Sequence, residues 1–195
     1  MIQLAYFFLL CPVGYTGNKS PTTTVQLKNV SLGCGAANFD IFQTPAATLK
    51  FYAYGKMEFN TQKNAVWREV VGYGTSGDAL MCPNSAMVFH AVYLREHGAA
   101  PSQNLATFKR GGRCVNITPK DISRMLKDTI RFLGPSLGFT PKYVSPQSLR
   151  AVVAMALLCS SVETDIINLV GLWRSYEMIR YLYVQAKPLM INMQR

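Results

Sequence analysis

The sequence predicts an α+β domain, mainly α-helical, with a small antiparallel β-sheet. Three observations point there. Stretches beginning at Pro83, Pro119 and Pro146 carry apolar residues at helical spacing, and the last two follow a capping Thr118 or Ser145. Two β-like runs, Lys56 to Lys63 and Val66 to Tyr73, flank an Asn64-Ala65 turn as a hairpin would. A chain of 195 residues, 49% hydrophobic with 14 glycines and 10 prolines, is long and apolar enough to bury one core, so residues 1–195 are expected to form a single domain.

In chain order, Met1 to Cys11 is apolar but too short to span a bilayer, and it lacks the basic residues that precede a secretory signal. It is expected to be a core helix whose beginning lies upstream. Val25 to Leu32 reads as a strand, Gly33 to Ala37 as a turn, and Thr48 to Tyr54 as a second β-like run before the hairpin. Gly74 to Gly77 is a loop. Pro83 to His97 is a helix with Ala86, Met87, Val88, Ala91 and Leu94 inward, stopped by Gly98. Ala106 to Thr118 forms a strand pair around Gly111-Gly112, with Lys109, Arg110 and Arg113 at its tip.

Thr118 then caps a helix whose stripe is Ile122, Met125, Leu126, Ile130 and Leu133, with Lys120, Arg124, Lys127 and Arg131 off that stripe. Ser145 caps the next, which carries Leu149, Val152, Val153, Ala156 and Leu157 around a lone Arg150. A polar break leads to Ile166, Ile167 and Val170, closed by Gly171. Ser175 opens a third short helix carrying Arg180, Tyr181 and Tyr183, and Pro188 ends it. An arginine on a nearly all-apolar helix is the anomaly, because a buried guanidinium is costly without a compensating partner.

Composition narrows the partner. The net charge is +10, and the segment from Lys109 to Lys142 holds eight basic residues against two acidic ones. That excess favours a polyanion, either nucleic acid or an acidic membrane surface. Five cysteines, odd in number and without a C-x-x-C, argue for reduced thiols rather than a disulfide frame or a zinc site. With only two histidines and no acidic cluster, no metal site and no cofactor is expected. The sequons Asn29-Val-Ser31 and Asn116-Ile-Thr118 matter only in a secreted chain.

From Ser145 to Gln185 the order and spacing resemble the carboxy-terminal catalytic box of the tyrosine recombinases, the phage-integrase-like enzymes that break and rejoin DNA. That box reads His-x-Leu-Arg, an apolar helix, a second helix ending in Leu-Gly-His, then a tyrosine ten residues after the glycine. This chain has Gln147-Ser148-Leu149-Arg150, then Val170-Gly171-Leu172, then Tyr181. The resemblance implies the fold of a DNA breaking-rejoining catalytic core, with Tyr181 as nucleophile, Arg150 as phosphate clamp and Lys63, on the hairpin, as general acid.

The same resemblance places Gln147 and Leu172 at two hydrogen-bond-donating positions, and Cys11 where the first catalytic arginine falls. Glutamine donates a hydrogen bond but relays no proton, leucine donates none, and cysteine cannot clamp a phosphate. Losing one fixed donor to a developing oxyanion typically costs 10²–10³ in rate, so a weakened or inactive enzyme is expected.

The implied reaction is metal-free phosphoryl transfer through a phosphotyrosine, serving integration or site-specific recombination of a mobile element. The implied partner is double-stranded DNA, contacted by Lys109, Arg110, Arg113, Arg124, Lys127 and Arg174, with no membrane partner. Residues 186–195 form an apolar tail that either docks on a neighbouring protomer, giving a homo-oligomer on DNA, or packs on its own domain. The location implied is intracellular, nuclear in a eukaryote, and not secreted. The alternative is a DNA-binding module derived from a recombinase that performs no chemistry.

Overall fold

The computed structural model describes residues 1–12, 16, 24–49, 51–61, 67–78, 80–138, 140–173 and 178–179. It is an α+β arrangement. In order come α1 (Ile2–Phe7), a 3-10 turn (Leu27–Asn29), β1 (Val30–Cys34), β2 (Ala37–Phe39), α2 (Ala46–Leu49), β3 (Tyr54–Thr61) and β4 (Trp67–Gly74). Then follow α3 (Pro83–Glu96), β5 (Thr107–Arg110), β6 (Arg113–Asn116), α4 (Pro119–Leu137), a 3-10 turn (Pro141–Tyr143), α5 (Pro146–Cys159) and α6 (Thr164–Val170).

The four-stranded sheet runs β2-β1-β3-β4, with each neighbouring pair antiparallel. The expected hairpin is present as β3 and β4, in register from Tyr54↔Gly74 to Thr61↔Trp67. Alternation sends Gly55, Met57 and Phe59 to the core and leaves Lys56 outward. The strand pair about Gly111-Gly112 is also present as β5 and β6, and both glycines have positive φ, which a tight two-residue turn requires.

Some sequence expectations differ from the fold. Of Val25 to Leu32, only the last residues are strand. Leu27 to Asn29 form a 3-10 turn closed by a reciprocal side-chain cap between Gln26 and Asn29, and the strand runs on to Cys34, so the turn shrinks to Gly35-Ala36. Thr48 to Tyr54 does not form the expected second run: of its described residues only Tyr54, the first residue of β3, is strand. Pro45 offers its carbonyl to the backbone N–H of Thr48 and Leu49, and α2 forms there, burying Leu49 while Phe51 stays exposed. Along α4, Ile122 is buried and Leu126 packs on the core, but Met125 and Leu133 of the expected stripe are exposed. On α5 the buried residues are Ala151, Val153 and Ala154, so the inward face is rotated from the expected one and Val152 is exposed.

Two hydrophobic clusters share one pin. The larger gathers Leu4, Phe8, Leu27, Leu32, Met57, Met87 and Leu94 between the sheet, α1 and α3. The smaller gathers Leu9, Val153, Ala154, Ile167 and Met178 around α5 and α6. The Met1 to Cys11 stretch is a core element: Leu4, Ala5 and Phe8 point into the first cluster, and Tyr6 and Leu9 into the second. No described helix is long and apolar enough to cross a membrane.

Candidate nucleic-acid interface

The amphipathic α4 positions the densest group of cations. Its start is fixed by a reciprocal cap in which the Asp121 backbone N–H donates to Thr118 Oγ1 and the Thr118 N–H donates to Asp121 Oδ2. These Thr118 bonds, side-chain first and then backbone, hold the Asp121 carboxyl below the usual carboxylate range. From this anchored start, Lys120, Arg124, Lys127 and Arg131 recur at helical spacing, one or two turns apart. With Ser123 they line one shallow surface hollow of about 300 Å³.

Two of the four cations are lightly engaged. Arg124 pairs with Asp121 at 2.7 Å, and Arg131 pairs with Asp128, both as exposed i,i+3 contacts. Such pairs are weak in water, and a phosphate can displace them. Lys120 and Lys127 make no ion pair with a described residue. The eleven residue steps from Lys120 to Arg131 cover about 16 Å of helix axis, long enough to track several phosphates of one strand. Helical periodicity in the sequence puts all four cations, Lys120, Arg124, Lys127 and Arg131, off the apolar stripe, and Arg124 and Lys127 are the two expected to contact DNA. Ser123 is the one residue of the hollow that only the folded face adds.

The β5–β6 tip adds a second basic element. Arg110 and Arg113 are exposed on either side of the glycine turn, and Lys109 is half-buried, with its backbone N–H donating to Tyr93 Oη at 3.0 Å. Two residues, Ile117 and Thr118, separate the end of β6 from α4.

Arg150 has a different environment. Its guanidinium carbon lies 4.1 Å from the Trp173 ring centroid, and Nη2 donates to the Gly171 carbonyl at the end of α6. Gly171 is needed for space and not for its φ of −80°, since a Cβ there would lie 1.9 Å from a Trp173 ring carbon. Leu172 takes the left-handed conformation instead, at φ 55°, and its side chain packs on the larger core. Gln147 is exposed on the first turn of α5, and Cys11 is half-buried after α1. Lys63, Arg174 and Tyr181 lie outside the described residues, as do the Asn64-Ala65 turn and residues 186–195.

Among the described residues the structure therefore joins Arg150 to Gly171 and Trp173, and it groups Arg124 and Lys127 with Lys120 and Arg131. No three His, Cys, Asp or Glu side chains among the described residues come together as a metal site. Compared with known proteins, the chain matches no family model, no curated protein and no solved structure.

Proposed function

We propose that the protein binds double-stranded DNA, holding its phosphate backbone along α4. The observation that carries this reading is the hollow lined by Lys120, Arg124, Lys127 and Arg131 in a chain of net charge +10. Each phosphate neutralised contributes about −0.9 to the slope of log K against log salt, so four contacts give a slope of about −3 to −4. Fluorescence anisotropy of a labelled duplex in rising salt measures it. Replacing Lys120 and Lys127 with Gln should flatten that slope by about 2 and weaken binding to all sequences alike. A double variant that keeps the native slope would remove α4 from the interface.

A second reading is DNA strand breakage and rejoining through a phosphotyrosine, in integration or recombination of a mobile element. One observation favours it: Arg150 of the Gln147-Ser148-Leu149-Arg150 run meets Gly171 of the Val170-Gly171-Leu172 run, so two halves of the sequence pattern are neighbours in space. On this reading the Tyr181 hydroxyl attacks a phosphate, and the 5′-oxygen leaves with a proton from Lys63. Tyrosine, with a pKa of about 10, needs positioning and a proton acceptor for that step. Cys11, Gln147 and Leu172 supply neither a clamp nor a relay, so turnover is expected to be low. Trapping on a nicked suicide duplex tests it: strong covalent product lost in Tyr181→Phe demonstrates an active enzyme, and absence of product with intact duplex binding leaves the binding module. Self-association on DNA through residues 186–195, and a location where that DNA is found, belong to the same proposal.

A further inference from the structure

Ser123 sits inside the cationic hollow of α4, and among the described residues its hydroxyl has no hydrogen-bond partner. A serine within a helix commonly bonds the carbonyl one turn back. On this same helix Thr129 does so, donating to the Met125 carbonyl at 3.0 Å, and Ser136 donates to the Leu133 carbonyl at 2.7 Å. Ser123 makes no hydrogen bond with a described residue, and it lines the hollow together with Lys120, Arg124, Lys127 and Arg131. Lys120 is three residues before it and Lys127 four after, the two spacings at which helical side chains meet.

We propose that Ser123 is a phosphorylation site through which a protein kinase selective for basic surroundings switches the α4 interface off. The inference rests on the reading of α4 as a DNA-backbone contact. The phosphoryl group comes from ATP: the bond from the γ-phosphorus to the bridging oxygen breaks, a bond to Ser123 Oγ forms, ADP leaves, and the hydroxyl proton passes to the kinase's base. Lysine three residues upstream and arginine immediately downstream give the flanking charge such a kinase selects.

The consequence follows from charge and geometry. A phosphoserine carries about −1.5 to −2 charges near pH 7 and three acceptor oxygens. At Ser123 it pairs with Lys120 and Lys127, the two cations without an ion pair to a described residue. It therefore occupies the place of a DNA phosphate and repels the next one. Two lost contacts lower the salt slope by about 2, and the dissociation constant at about 0.15 M salt should rise at least tenfold.

The test uses the full chain with phosphoserine encoded at position 123, compared with the unmodified protein and with the same phosphoprotein after phosphatase treatment. Duplex binding at least tenfold weaker for the phosphoprotein, returning to within about twofold of native once the phosphate is removed, supports the proposal. Equal binding by the phosphoprotein, or a loss that phosphatase does not reverse, overturns it. A second readout is independent of DNA. By phosphorus NMR the second phosphoserine ionisation, ordinarily near pH 6, should lie lower and return when Lys120 and Lys127 become Gln. An unshifted ionisation overturns the ion cluster itself. If the unmodified protein fails to bind duplex while the ionisation is shifted, the DNA reading has failed and the modification chemistry has not. Incubation of the folded protein with ATP and a basic-directed kinase must add phosphate at Ser123; labelling elsewhere only, or none, also overturns it.

Discussion

Gly55 carries no side chain because Asn84 occupies the space one would fill. Asn84 is fully buried at the start of α3, its Nδ2 donates to the Tyr73 carbonyl at 2.8 Å, and its Oδ1 lies 2.4 Å from where a Cβ on Gly55 would stand. That oxygen has no hydrogen-bond partner among the described residues. Gly55→Ala should therefore destabilise the fold by about 1–3 kcal/mol, the usual cost of overpacking. Because the clash is with one side chain, Gly55→Ala with Asn84→Ala should cost less than the two singles summed. Chemical denaturation of the four proteins measures the coupling, and strict additivity would show that the two residues do not meet. No sequence pattern announces this contact, since Gly55 reads only as a weak strand residue. Arg150 is the converse case. Its oddity on an apolar helix was plain from the sequence, but its partners, an indole face and a carbonyl 21 residues on, depend on how α5 and α6 pack. The rule that a half-buried cation needs a partner was legible; the partner's identity was not.

At the scale of elements, legibility followed the strength of local signals. Helices α3, α4 and α5 begin at their prolines because proline at the first helical position loses no hydrogen bond and presets φ. The turn of β5–β6 was legible because two adjacent glycines supply the positive φ a tight hairpin needs. The failures lie where the local signal is ambiguous. An apolar stretch such as Thr48 to Tyr54 fits a strand by pattern, and the Pro45 carbonyl decides for α2. Likewise, the stripe on α4 gives a helix but not how far the core extends along it, so Met125 and Leu133 stay exposed. Since α4 carries the proposed interface and packs on the core mainly through its first half, its start should matter disproportionately. Thr118→Ala removes the oxygen that accepts the Asp121 N–H and should cost about 1 kcal/mol. Thermal unfolding checks the magnitude. Hydrogen exchange should show the faster opening concentrated at the amino-terminal end of α4; a uniform loss across the molecule would place the anchor elsewhere.

At the scale of the whole molecule, stability depends on tying separate pieces to one core. Tyr73 Oη donates to the Phe7 carbonyl at 2.7 Å, which joins β4 to α1, and burial pushes its hydroxyl up to about 12, so it remains a donor at any ordinary pH. His90 does the corresponding work between α3 and the segment entering β5, with Nε2–H donating to the Leu105 carbonyl. Its switch lies within reach of mild acid. Burial pushes the imidazole below its ordinary value of 6.5, and the Leu105 bond only partly opposes that shift. The folded protein therefore holds fewer protons on this ring than the unfolded chain does as pH falls past 6.5. Stability rises with pH wherever the unfolded state binds more protons. The His90 contribution is complete above about pH 6.5 and declines as pH drops through that value towards the lowered folded-state one. His90→Gln keeps an N–H able to reach Leu105 but cannot titrate. Urea midpoints between pH 8 and 5 should fall more steeply for the native protein than for His90→Gln, while the carboxylates common to both contribute equally. Parallel curves would mean that the ring charges in place without loss, and that the Leu105 tie does not depend on the neutral imidazole.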